Sequence, residues 1–165
     1  MKIIVISDTH LSRRARKLPD PLVEALSDAD LILHAGDWSD WSVHKLLSAY
    51  APVEGVAGNT DPPEIGQKLG FSRIVEANGL RLGLVHGHLG SKSTEQNAIH
   101  TFAGQQVDAV IFGHSHIPVM HTVNDVLIFN PGSPTDRRFQ PQYSFGIMTT
   151  HLGKLQAEHV FYDVK

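Results

Sequence analysis

The chain contains no cysteine, which excludes a disulfide framework and any thiolate metal site. Long apolar runs are also missing. Those at residues 3–6 and 109–112 fall far short of the roughly 20 residues a membrane span needs, so no membrane partner is expected. Nor does one sign of charge dominate. Lysine and arginine number 14 against 17 aspartates and glutamates, a formal net charge of −3, and no strong nucleic-acid surface follows from that. The opening MKIIVIS enters a strand pattern at once, without the longer apolar stretch and small-residue cleavage site of a secretory signal. These absences predict a cytoplasmic protein. No Gly/Ser linker, charge block or internal repeat divides the 165 residues, so a single domain over 1–165 is expected.

Residues 3–6 are an unbroken β-branched run that reads as a buried strand. Pro19 and Pro21 precede a short helix over 22–26. A second buried strand spans 31–35. A helix over 42–49 follows, with Asp40 as its cap and Val43, Leu46 and Leu47 as its apolar face. A third strand spans 52–57. This β-α-β-α-β order predicts parallel strands with helical crossovers.

The second half is richer in hairpins. Strands at 73–76 and 80–85 flank an Asn78-Gly79 turn, and 93–104 reads as a helix ended by Gly104. Residues 107–112 form another apolar strand. Two further hairpins pair 119–123 with 127–130 and 143–149 with 155–161. Two sheets packed face to face with helices outside accommodate both halves.

Histidine is abundant, with eleven residues. His10, His86, His88, His114 and His116 each follow a β-like apolar run. His34, His44, His100, His121, His151 and His159 have no such company and read as ordinary surface or partly buried residues. The strand exits share a chemistry. Asp8 and His10 follow the first strand, Asp37 the second and Asn59 the third; His86 follows 80–85, and His114 and His116 follow 107–112. Ligand sites gather beyond the carboxyl ends of strands in open α/β sheets, so these segments can converge. Asp8 and His10, like His114 and His116, are two apart and would project to one side of an extended chain. Gly36, Gly58, Gly87 and Gly113 adjoin them and allow sharp turns. Imidazole with carboxylate and amide oxygen suits Mn, Fe, Zn, Co or Ni rather than Ca.

Taken together, D-x-H, G-D, G-N-x-D, H and G-H-x-H, between Ile3 and about Ser133, resemble the calcineurin-like metallophosphoesterases. The chain length, the early first motif and Asn130-Pro131-Gly132-Ser133 resemble the small prokaryotic phosphodiesterase subfamily. The resemblance implies a four-layer α/β/β/α sandwich of two mixed β-sheets flanked by helices. It implies two divalent metal ions, Mn²⁺ first, with Fe, Zn, Ni or Co as alternatives. Asp8, His10, Asp37 and His116 would hold one ion, and Asp37, Asn59, His86 and His114 the other. Asp37 would bridge them, since the two oxygens of a carboxylate can span ions about 3.5–4 Å apart. His88 is assigned to the active site beside the ligands, which makes Asp37, Asn59 and His88 the catalytic set.

The implied activity is hydrolysis of a small phosphate diester by a hydroxide held between the ions. A phosphomonoesterase or pyrophosphohydrolase with the same site is the enzymatic alternative. The non-enzymatic alternative is a protein-binding scaffold like one similarly folded subunit of the retromer coat. Missing ligands would favour the scaffold, and here every position is filled. Assembly into a homo-oligomer is left open.

One position departs from the family pattern. Where a histidine often follows the motif asparagine, this chain has Thr60, a poor proton donor at neutral pH. Asp61 then reads as a turn or supporting residue. Arg13 and Arg14, with Arg16 and Lys17, read as a solvated basic turn rather than a phosphate contact. Trp38 and Trp41 are expected either at the substrate mouth or a subunit contact, or packed on the adjacent helix. A Pro-Gly turn is sufficient explanation for residues 130–133. Arg137 and Arg138 read as a charged loop.

Overall fold

The structure is a computed structural model that describes residues 1–11 and 17–165. In chain order its elements are β1 (Lys2–Ile6), α1 (Asp20–Leu26), β2 (Leu31–His34), α2 (Trp41–Ser48), β3 (Val53–Gly55), α3 (Pro63–Leu69), β4 (Ser72–Ala77), β5 (Leu80–Val85), α4 (Thr94–Thr101), β6 (Ala109–Ile111), β7 (Val119–Val123), β8 (Val126–Asn130), β9 (Tyr143–His151) and β10 (Lys154–Tyr162). They form two five-stranded sheets, ordered β10-β9-β1-β2-β3 and β4-β5-β6-β8-β7. In the first, β1, β2 and β3 run parallel while β9 and β10 are antiparallel. In the second, β5, β6 and β8 run parallel between antiparallel β4 and β7.

Side-chain alternation along the central strands sets the layers, because neighbours on a strand point to opposite faces. Ile3 and Val5 enter a cluster with Leu33, Leu82, Leu84, Ile111 and Phe129, which joins the two sheets. Ile4 and Ile6 point the other way, onto Leu22 and Leu26 of α1, Val43 and Leu47 of α2 and Ile65 of α3. On the far side, Val110 and Ile128 meet Ala98 of α4 and Phe102 just beyond it. Full burial of each such Ile, Leu or Phe stabilises by roughly 1.5–3 kcal/mol. The result is the four-layer α/β/β/α sandwich.

The helix starts have local causes. Asp40 caps α2 through Ser42 N at 2.8 Å, and Ser93 caps α4 through Gln96 N at 3.2 Å. Proline occupies the first turn of α1 and α3. Helix α3 was not anticipated: Pro63 begins a helix that buries only Ile65. Helix α4 ends at Thr101, before the expected Gly104. Strands β3 and β6 are shorter than expected, because their last residues already turn into the loops that carry the functional side chains.

Candidate metal centre

The five strands whose exits carry the chemistry come from both sheets. Asp8 and His10 follow β1, Asp37 follows β2 and Asn59 follows β3, all in the first sheet; His86 follows β5, and His114 and His116 follow β6, in the second. The segments are not extended, contrary to the spacing argument. Asp8, His10, Asp37, His114 and His116 have φ of 56°, 43°, 61°, 69° and 60°. The left-handed conformation turns the chain back sharply, so both side chains of D-x-H and of H-x-H reach one centre. It costs a non-glycine residue roughly 1–2 kcal/mol.

Hydrogen bonds hold these turns. Asp8 N donates to Gly36 O at 2.9 Å, His10 N to Asp37 O at 3.1 Å and His114 N to Asp8 Oδ2 at 3.0 Å. Asp61 does more than close a turn. Its Oδ2 accepts from Asp37 N (2.9 Å) and Gly58 N (2.8 Å), and its Oδ1 from Trp38 N (2.7 Å) and Ser39 N (2.9 Å). One carboxylate thus ties the loop after β2 to the loop after β3. Its only sequence signal was its place at the end of G-N-T-D.

Two groups of candidate ligands result, Asp8 with His10 and His116, and Asp37 with His86 and His114. In the first, His116 Nε2 lies 3.4 Å from both Asp8 Oδ1 and His10 Nε2. In the second, His86 Nε2 is 3.3 Å from Asp37 Oδ2 and 3.0 Å from Asn59 Oδ1, which is also 3.0 Å from His114 Nδ1. Asp37 Oδ2 is 3.6 Å from His10 Nε2 as well, so it faces both groups. A single oxygen is turned to both, rather than one to each, because Oδ1 accepts from Thr60 N at 3.0 Å.

These residues fit divalent cations. Ligands about 2.1 Å from an ion stand roughly 3.0–3.4 Å apart. His86 Nδ1 donates to Ala35 O at 2.7 Å and His116 Nδ1 to Asp136 O at 2.5 Å. Each ring therefore presents its Nε2 lone pair to the centre, the tautomer that metal coordination requires. Around His86 that nitrogen faces two oxygen acceptors, Asp37 Oδ2 and Asn59 Oδ1, an arrangement that either a proton or a cation satisfies. Asp8 Oδ1 is buried with no hydrogen-bond partner among the described residues, a costly state for a carboxylate unless an ion completes it.

The titration behaviour follows from the same crowding. Burial pushes Asp8 from its ordinary 3.8 to about 7, with the opposing pull of His86 and the Ser7 hydroxyl too weak to prevent it. Burial acts on Asp37 too, but the hydrogen bond and charge of His86, with Thr60, hold its carboxyl well below the usual range. Burial would lower His86, yet its bond to Asp37 and the charges of Asp8 and Asp37 raise it. His88, His114 and His116 are lowered, chiefly by burial.

The remaining residues divide clearly. His88 belongs to neither ligand group; its ring centroid lies 5.3 Å from that of His86. Thr60 is exposed. His34, read as ordinary, is fully buried: its Nδ1 accepts from Gly36 N, its Nε2 donates to Thr9 Oγ1, and its ring stacks on Trp38 at 3.6 Å. Trp38 is packing, with no exposure and its indole N–H on Val56 O. Trp41 starts α2, stacked on His44 with Lys68 over its ring. Residues 130–133 are more than a turn, since Asn130 Nδ2 donates to Gly113 O and Ser133 Oγ to Asp8 O. Arg137 lies over Tyr143, and Arg138 is 3.9 Å from Asp136. Arg13, Arg14 and Arg16 lie outside the described residues.

Comparison with known proteins identifies the family. A model of the calcineurin-like phosphoesterase superfamily domain matches residues 1–153. A probable metallophosphoesterase of Methanothermobacter thermautotrophicus is 38% identical over 135 residues, covering 82% of this chain and 78% of that protein. A phosphodiesterase of Methanocaldococcus jannaschii is 30% identical over 148 residues, covering 80% and 83%. The crystal structure of Chaetomium thermophilum Vps29 superposes with a TM-score of 0.79 over 99% of both chains at 22% identity, a likeness of fold alone. The matched domain and these relatives establish that the chain belongs to the calcineurin-like phosphoesterase superfamily.

Proposed function

We propose that this protein is a metal-dependent phosphodiesterase acting on a small phosphate diester. The observation that carries the reading is the pair of ligand groups sharing one oxygen, Asp37 Oδ2, between His10 Nε2 and His86 Nε2. Asp8, His10, Asp37 and His116 would hold one divalent ion, and Asp37, Asn59, His86 and His114 the second, with Mn²⁺ the preferred metal. Bound there, the two ions supply an activated water and a clamp on the phosphoryl oxygens.

The chain's own residues orient and exclude. Ala35 O and Asp136 O fix the His86 and His116 rings with Nε2 inward. Thr60 N and Asp61 fix Asp37. His88 stands beside the second group, its pKa lowered chiefly by burial, and would be a side chain in contact with the ester. The diester preference draws on the Methanocaldococcus relative.

Metal analysis and a substrate panel test this. Two ions per chain are expected, with turnover of bis(p-nitrophenyl) phosphate above that of p-nitrophenyl phosphate or pyrophosphate. Chelation should stop the reaction and Mn²⁺ restore it. Undiminished turnover in a verified metal-free sample would refute the mechanism. Tight metal binding with no turnover of any ester would favour the scaffold alternative.

A further inference from the structure

A cavity of about 560 Å³ opens directly beside the candidate metal centre. It shares Asn59 with the second ligand group and has His88 in its wall. Its other walls are mostly apolar: Ala57, Pro62, Pro63 and Phe71. Phe71 is 47% exposed, so one face of its ring is open to the cavity. It leans over α3, where Gly66 leaves room for it: a Cβ there would stand 3.1 Å from the ring. The Phe71 and His88 ring centroids are 6.0 Å apart. His88 Nδ1 is buried and has no hydrogen-bond partner among the described residues, although buried polar atoms are nearly always paired. Apolar walls and one exposed aromatic face beside convergent polar groups such as Asn59 are the features of a small-molecule site.

We infer that this cavity receives a planar aromatic substituent of the phosphate ester, packed on Phe71 with its edge toward the His88 ring, while the phosphate lies at the metal centre. The inference rests on the phosphoesterase reading and extends it to substrate class: aryl or nucleobase-sized esters rather than short alkyl ones. Phe71 is then a specificity-determining residue and not a catalytic one. A second cleft, about 490 Å³ and lined by Ile99, Phe102 and Val107 near α4, shares no residue with the metal centre and takes no part.

Non-hydrolysable phosphonates test the cavity without turnover. Calorimetry on the Mn²⁺-loaded protein should show phenylphosphonate binding about tenfold tighter than methylphosphonate, the scale expected of one buried ring contact. In Phe71→Ala that ratio should fall to about twofold or less, with methylphosphonate affinity unchanged. Phe71→Leu keeps apolar bulk without the ring and should fall between. Phe71 is half exposed, so these variants should fold as the parent does. Equal binding of the two phosphonates by the parent, or an equal loss of both in Phe71→Ala, would overturn the cavity assignment and leave the phosphoesterase reading standing. Failure of the metal-loaded protein to bind either methylphosphonate or inorganic phosphate would overturn both.

Discussion

Asp8 shows how a single residue can serve the site at the expense of the fold. It is fully buried, and one of its oxygens lacks a hydrogen-bond partner among the described residues. Its folded-state pKa of about 7 lies above the ordinary 3.8. Such a carboxyl contributes no penalty below about pH 4, where it is protonated in both states. Between about 4 and 7 the folded chain holds a proton that the unfolded chain has released, so stability falls as pH rises through that window. The metal-free protein should therefore carry a penalty at pH 8 on the order of 2–4 kcal/mol from this group. Asp8→Asn keeps the shape, keeps an oxygen for His114 N and places an N–H toward His116 Nε2. It should raise the denaturant midpoint of the chelated protein at pH 8, leave it nearly unchanged at pH 4 and reduce the metal content. A midpoint at pH 8 that falls on substitution would show that ionised Asp8 stabilises the metal-free fold.

At the scale of elements, the site is a set of strand exits, those of β1, β2 and β6 bent into left-handed turns. Gly58 allows two of them to touch, since a Cβ there would fall 2.1 Å from Asp37 Oδ1 and 2.5 Å from Asp37 N. Gly58→Ala should displace Asp37, lower metal content below two ions per chain and reduce stability by about 1–3 kcal/mol. Metal analysis and urea unfolding check both, and an unchanged metal content would mean that Asp37 tolerates the shift. Much of this was legible beforehand. Apolar runs ending in Asp, His or Asn marked the five exits, and their order brought out the family. What could not be read was conformation. Two-residue spacing suggested an extended chain, whereas a left-handed turn achieves the same convergence by another route. His34 gave no local signal either, because its partners, Thr9 and Trp38, come from different loops. Helix α3 is short and buries only Ile65, so it offered little apolar periodicity to read.

Across the whole molecule, each ligand group draws from both sheets: Asp8 and His10 meet His116, while Asp37 meets His86 and His114. Bound ions would act as cross-links between layers that otherwise meet through apolar side chains and hydrogen bonds such as His86 Nδ1 to Ala35 O. An ion at 100 times its dissociation constant stabilises by about 2.7 kcal/mol. For a chain of this size that corresponds to a rise in melting temperature of about 5–10 °C. Calorimetry with and without chelator should show one transition moving by that amount; separate movement of two transitions would mean that the sheets unfold independently. The sheets also differ in how the chain assembles them. The second is built wholly from residues 72–130, in one contiguous stretch. The first places β1 between β2 and β9, pairing Ile3 with Met148. On the ribosome β1 is made before β2 to β8 and must wait for β9 to cover its edge. A nascent chain halted before β9 could complete the second sheet and close no more than half of the first.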